Sequence, residues 1–175
     1  MLNISQLAKQ TKMDYKNVHD IIRRLEKKEL VILKKFGSAV SCRLVNEPHP
    51  LIFEAEFERR KEILKSKDMD TMLHMIKEHL GSVNFILLLF GSYAKRSQTK
   101  HSDIDLMFII PHESMENMVS KAIRLIPLSI HYQVFTEDDF RKDMLSKEFS
   151  VIKEAMKKNI ILHGIENYYE LIRNG

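Results

Sequence analysis

Gly91 and Ser92 directly follow Phe85 to Phe90, the longest unbroken apolar run of the chain, and Asp103-Ile104-Asp105 come ten residues later. Each part of this constellation has a chemical use. A glycine after a strand lets the backbone turn sharply and approach a ligand closely. The N–H groups of a helix that starts there, with the Ser92 hydroxyl, could hold triphosphate oxygens. Two aspartates spaced by one residue on a strand project from the same face. Such a pair can hold Mg²⁺ against phosphates and favour in-line displacement at phosphorus. Taken singly, Gly-Ser after a strand is an ordinary turn and Asp-x-Asp arises by chance. The weight lies in their order along the chain.

The elements that must position these residues are legible from periodicity. Val83 to Phe90 is nearly all apolar, as a strand buried on both faces would be. Asp103 to Ile110 reads as a second strand stopped by Pro111, Ser114 to Ile126 as a helix, and Leu128 to Phe135 as a third strand. Thr136-Glu137-Asp138-Asp139 has the form of a capping box opening a further helix. The C-terminal part reads as a helix over Glu148 to Lys158, a short strand over Ile160 to Leu162, a break at Gly164 and a helix over Glu166 to Arg173. Upstream, helices fit Leu51 to about Lys65 and Asp70 to Leu80. No internal repeat or low-complexity tract is present.

With the elements in place, Gly91-Ser92-Tyr93-Ala94-Lys95-Arg96-Ser97 through Ser102-Asp103-Ile104-Asp105-Leu106 resembles the signature of minimal nucleotidyltransferases of the polymerase-β-like superfamily. Looser likeness continues through Thr136 to Phe140 and through Ile160-Ile161-Leu162-His163-Gly164 before Tyr168-Tyr169, so that it covers roughly residues 70–173. The resemblance implies a mixed sheet with packed helices, Mg²⁺ dependence, and transfer of a nucleotide from an NTP to a hydroxyl. Gly91 and Ser92 would bind the nucleotide, and Asp103 and Asp105 would be both catalytic residues and metal ligands. The family usually places a third carboxylate on the third strand. Here Ile130-His131-Tyr132-Gln133-Val134-Phe135 contains no acid, and His131 or Gln133 holds that position.

The charge of the chain is unevenly divided. Residues 1–50 hold ten Lys/Arg against five acids, a net +5, while the other 125 residues carry 18 bases and 19 acids. A local surplus of this kind suits attraction to a phosphate backbone. Ile4, Leu7 and Ala8 follow helical spacing, as do Val18, Ile21, Ile22 and Leu25 after an Asp14 N-cap. Leu30 to Leu33 and Val40 to Leu44 read as a hairpin around Phe36-Gly37-Ser38. This order resembles winged helix-turn-helix repressor domains, without the helix that usually precedes it and with Glu29 where a glycine commonly ends the recognition helix. The resemblance implies that Tyr15, Lys16, Asn17, His19, Asp20 and Arg23 face the DNA major groove, with Lys34, Lys35 and Arg43 on phosphates.

The sequence therefore predicts an α+β chain: a winged helix-turn-helix over 1–47, a connecting helix over 48–68 and a nucleotidyltransferase domain over 69–175. No apolar run approaches the ~20 residues of a membrane helix, residues 1–20 hold no signal-peptide block, and the lone Cys42 excludes an internal disulfide framework. A cytoplasmic protein is the expectation. Two functions fit. One is an enzyme passing a nucleotide, with ATP the expected donor, to a protein or small-molecule hydroxyl through Asp103, Asp105 and His131. Some minimal nucleotidyltransferases act as antitoxins, so the resemblance also implies a small helical toxin-type partner. The other is a DNA-binding transcription regulator whose degenerate transferase domain senses nucleotide. An oligomer is compatible with either.

Overall fold

Asn3 opens the first helix by a reciprocal cap. Its side-chain oxygen accepts from the Gln6 N–H at 2.8 Å, and the Gln6 amide oxygen accepts from the Asn3 N–H at 2.9 Å. The computed structural model describes residues 2–37 and 39–173 and divides into two compact units, Met1–Glu47 and Pro48–Gly175.

The first unit runs β1 (Leu2–Asn3), α1 (Ile4–Thr11), α2 (Tyr15–Lys27), β2 (Val31–Phe36) and β3 (Ala39–Leu44). Asp14 caps α2, accepting from the Asn17 N–H at 2.9 Å. The strands form an antiparallel sheet in the order β1-β3-β2. Strand β1 was not foreseen, because two residues carry no alternation to detect. Phe36 is the last ladder residue, opposite Ala39, rather than part of the turn. Gly37 takes the turn at φ +57°, and the expected third turn residue, Ser38, lies outside the described residues. Ile4, Val18, Ile22 and Val31 form the core. Glu29 adopts the left-handed conformation at φ 58° where glycine is usual, and the Leu30 N–H returns to the Leu25 carbonyl at 3.0 Å.

The second unit runs α3 (Pro50–Ile63), α4 (Lys67–Leu80), β4 (Ile86–Leu89), α5 (Gly91–Lys95), β5 (Ile104–Ile110), a 3-10 turn (Glu113–Met115), α6 (Glu116–Arg124), β6 (Ile130–Thr136), α7 (Glu137–Leu145), α8 (Val151–Lys157), β7 (Ile160–His163) and α9 (Ile165–Arg173). Its sheet has the order β6-β5-β4-β7, with β5 and β6 parallel and β4 antiparallel to both β5 and β7. The sheet is mixed. Leu87, Leu89, Leu106 and Phe108 pack with Met72, Ile76 and Val119 of α4 and α6 on one face. Ile86, Leu88, Met107 and Ile109 alternate to the other face and are also fully buried, which explains the unbroken apolar strands.

Two expectations change in detail. The helix read as a connector, α3, packs within this second unit. Its buried Glu56 accepts from the Tyr169 hydroxyl at 3.1 Å and from Arg59 at 2.7 Å. At Thr136 the hydroxyl accepts from the Asp139 N–H at 3.1 Å and donates to the Asp139 carboxylate at 2.7 Å, so the cap closes between the two side chains. Gly164, between β7 and α9, has φ +74°, and a Cβ there would stand 2.7 Å from the Phe85 carbonyl oxygen. Only glycine fits that corner.

Candidate active site

Strand β4 ends at Leu89 and the chain turns at once into α5, so Gly91 and Ser92 stand over the start of β5. Gly91 has φ +64°, and a Cβ on it would lie 1.9 Å from Asp105 Oδ2. The glycine backbone thus rests against the aspartate side chain. The Phe90 N–H donates to the Asp105 carbonyl at 3.0 Å, which locks the turn to the strand that carries the acids. Arg96 ends α5 in the left-handed conformation, and the Ser97 N–H returns to the Ser92 carbonyl at 3.0 Å. A turn closed by Thr99 and Ser102 then delivers the chain to Asp103. The ten intervening residues are therefore a built return, and they bring the two halves of the motif together. Lys95, in α5, pairs with Glu154 of α8 at 3.0 Å.

Asp103 is the residue before β5 and is exposed; Asp105 is the second residue of the strand and half-buried. The Ile104 N–H donates to the Ser129 carbonyl at 2.9 Å, aligning the starts of β5 and β6, and the Ser129 hydroxyl donates to Asp103 Oδ1. Sequence reasoning passed over Ser129. The sequence runs the third strand over Leu128 to Phe135 and so sets Ser129 inside it, whereas β6 begins at Ile130 and leaves Ser129 just before the strand.

His131 lies directly across from Asp105 in the parallel ladder, and its Nδ1 is 3.4 Å from Asp105 Oδ1. Gln133 is opposite Met107, two residues further from the acids. Of the two residues that the sequence left open, His131 is the one beside the carboxylates. Its ring is 62% exposed, so solvent and a ligand both reach it. Glu137 and Asp138 lie in the first turn of α7 and Asp139 in its cap, all beyond the end of β6. Among the described residues no group of three His, Cys, Asp or Glu side chains is arranged to hold a metal ion.

The expected DNA-contacting residues of the first unit divide differently. On α2, Tyr15, Lys16, Asn17, Asp20 and Arg23 are exposed and His19 is half-buried. Several already have partners: the Asn17 amide on Asp14, Arg23 on Glu26 at 2.8 Å, and the His19 ring stacked on Tyr15. Lys34 and Arg43 lie on the sheet face away from the core, whereas Lys35, one residue on, projects to the other face opposite Val40. The structure does not bring the three hairpin cations together.

Residues 72–167, more than half of the chain, match the family described as Polymerase beta, Nucleotidyltransferase. Comparison with curated proteins and with solved structures found no match in either. Among the described residues no helix is long and apolar enough to cross a membrane.

Proposed function

The chain belongs to the polymerase beta nucleotidyltransferase family, and on that premise we propose that its second unit transfers a nucleotide from an NTP to a hydroxyl on a protein or small molecule. The observation that supports this reading is the contact of the Gly91 backbone with the Asp105 carboxylate, by which the Gly91–Ser92 turn lies beside the strand that carries the acids. Asp103 and Asp105 fit Mg²⁺, an ion that commonly takes only one or two protein carboxylates and completes its shell with phosphate and water. When bound, that ion supplies charge neutralisation of the phosphates during displacement.

The residues of the chain do the rest. Gly91 and Ser92 hold the triphosphate, and Ser129 orients Asp103 through its hydroxyl. The acceptor oxygen attacks the α-phosphorus, the bond to the bridging oxygen breaks, and pyrophosphate leaves with that bond's electron pair. The acceptor proton needs a base. With Nδ1 turned to Asp105, His131 leaves Nε2 free to take the proton.

The missing acid on β6 supports a second reading, in which this unit binds nucleotide without transferring it and the first unit binds DNA. The net +5 of residues 1–50 and the β1-α1-α2-β2-β3 order favour a winged helix-turn-helix reading of that unit. A small helical protein partner remains part of the first reading.

Incorporation of labelled nucleotide, with candidate proteins as acceptors, separates the two. Asp103→Ala with Asp105→Ala is expected to abolish the Mg²⁺-dependent part of NTP binding, and equal binding to wild type would remove the metal-site assignment. Transfer is expected to fall roughly 10²–10⁴-fold in His131→Ala if the imidazole is the base. A gain in His131→Asp over an inactive wild type would mark a decayed transferase on an intact scaffold. Robust transfer that survives His131→Ala would place the third catalytic position elsewhere, with Gln133→Asp as the comparison.

A further inference from the structure

We propose that the cavity between α3, α4 and β7 binds a small phosphate-bearing anion at a site distinct from the Gly91–Asp105 turn. The cavity is an open cleft of about 220 Å³ walled by Leu64, Leu73 and Leu162, with Arg60, His74, Lys77 and Asp70 at its polar positions. That volume is below the ~300 Å³ at which pockets for drug-sized ligands begin, and it suits phosphate with a short carbon stub. None of its walls belongs to the nucleotide motif.

The charge pattern along α3 singles out one cation. Arg59, Lys61 and Lys65 are ion-paired to Glu56, Glu58 and Glu62. Arg60, between them, has no carboxylate partner among the described residues, and neither has Lys77 across the cavity. The Arg60 guanidinium is instead held by the Leu162 carbonyl, to which Nη1 donates at 3.4 Å, and by the Phe57 ring 4.8 Å from its carbon. Both contacts fix its position and leave its charge uncompensated. A guanidinium presents five N–H donors in a planar fork matched to phosphate, and an ammonium adds a point charge.

The field of this pair extends to the end of β7. His163 is held below its ordinary value first by burial and then by the charges of Lys77 and Arg60, with Glu166 acting in the opposite sense. Among the described residues Asp70 is the single carboxylate in the wall and opposes an anion, leaving two permanent cations against one acid.

The test is a residue-resolved titration of the full ¹⁵N-labelled chain with inorganic phosphate, with chloride at matched ionic strength as control. Saturable amide shifts are expected within residues 60–77 and at 162–163. Lys77→Gln and Arg60→Gln should each weaken that binding about tenfold or more, and Asp70→Asn should tighten it a few-fold. Lys65→Gln, which removes a cation already paired with Glu62, should change it by less than about twofold. Non-saturating shifts at 60–77, shifts confined to 91–105, or equal effects of Lys77→Gln and Lys65→Gln would overturn the proposal. Phosphate at the nucleotide turn reports on residues 91–105, so the two sites succeed or fail separately.

Discussion

Among the described residues the first unit folds around five buried aliphatic side chains and carries a net charge of +5, whereas the second buries both faces of β4 and β5 and carries −1. The polar side chains singled out in the first unit lie on its surface, several of them paired with neighbours on the same helix. Those of the second converge from α5 and from the starts of β5 and β6, 40 residues apart in sequence from Gly91 to His131. A charged surface works by summed potential, so its members can shift by a few ångströms or be exchanged. The transfer site proposed for the second unit would work by position, and position must be held by a rigid core. The larger core lies under the more demanding geometry.

The strongest challenge to this contrast is Gly91→Ala. The added methyl would sit on Asp105 Oδ2 in a backbone conformation that disfavours side chains. Nucleotide affinity should fall at least about 100-fold, which corresponds to roughly 2.7 kcal/mol. Calorimetric titration with NTP and Mg²⁺ measures it, and unchanged affinity would show that the turn does not contact the phosphates.

Core truncation compares the two scaffolds directly. Leu88→Ala, at the fully buried centre of the sheet, should lower stability by about 3–5 kcal/mol, and Ile22→Ala in the smaller core by about 2. Denaturant midpoints at constant m-value give both numbers. Equal losses would mean that the small core is packed as tightly as the large one.

Charge removal should act gradually. Lys34→Ala with Lys35→Ala is expected to weaken DNA binding for every sequence and to flatten the salt dependence by about two counterions. Retained DNA affinity after deletion of residues 1–50 would end the role assigned to that unit.

The smallest expected effect is a pH dependence confined to the second unit. Burial pushes the Tyr168 hydroxyl from 10 up to about 12, and burial beside Glu56 pushes Tyr169 up as well. The folded chain therefore keeps these protons where the unfolded chain releases them. Stability should be full below pH 10 and decline as the pH rises towards 12, and Tyr169→Phe should flatten that decline. His163 has the opposite sign: its folded value lies below the ordinary 6.5, so its contribution is present above that value and is lost as the pH falls. Thermal melts across the pH range read both limbs.

Much of this was legible in the chain. The apolar run Phe85 to Phe90 had to be buried on both sides, and Asp14 and Thr136 had to cap helices, because these follow from hydrophobic pattern and local chemistry. Helix and strand types were readable throughout the second unit, although strand starts moved by a few residues, as at Val83 and Ile86. Four facts required the folded chain. They are the place of His131 rather than Gln133 beside Asp105, the hydroxyl of Ser129 on Asp103, the membership of α3 in the second unit and the lack of a carboxylate partner for Arg60 among the described residues. Each depends on register or packing between segments distant in sequence, and a single chain written in one dimension carries no measure of which strand residue will stand opposite which.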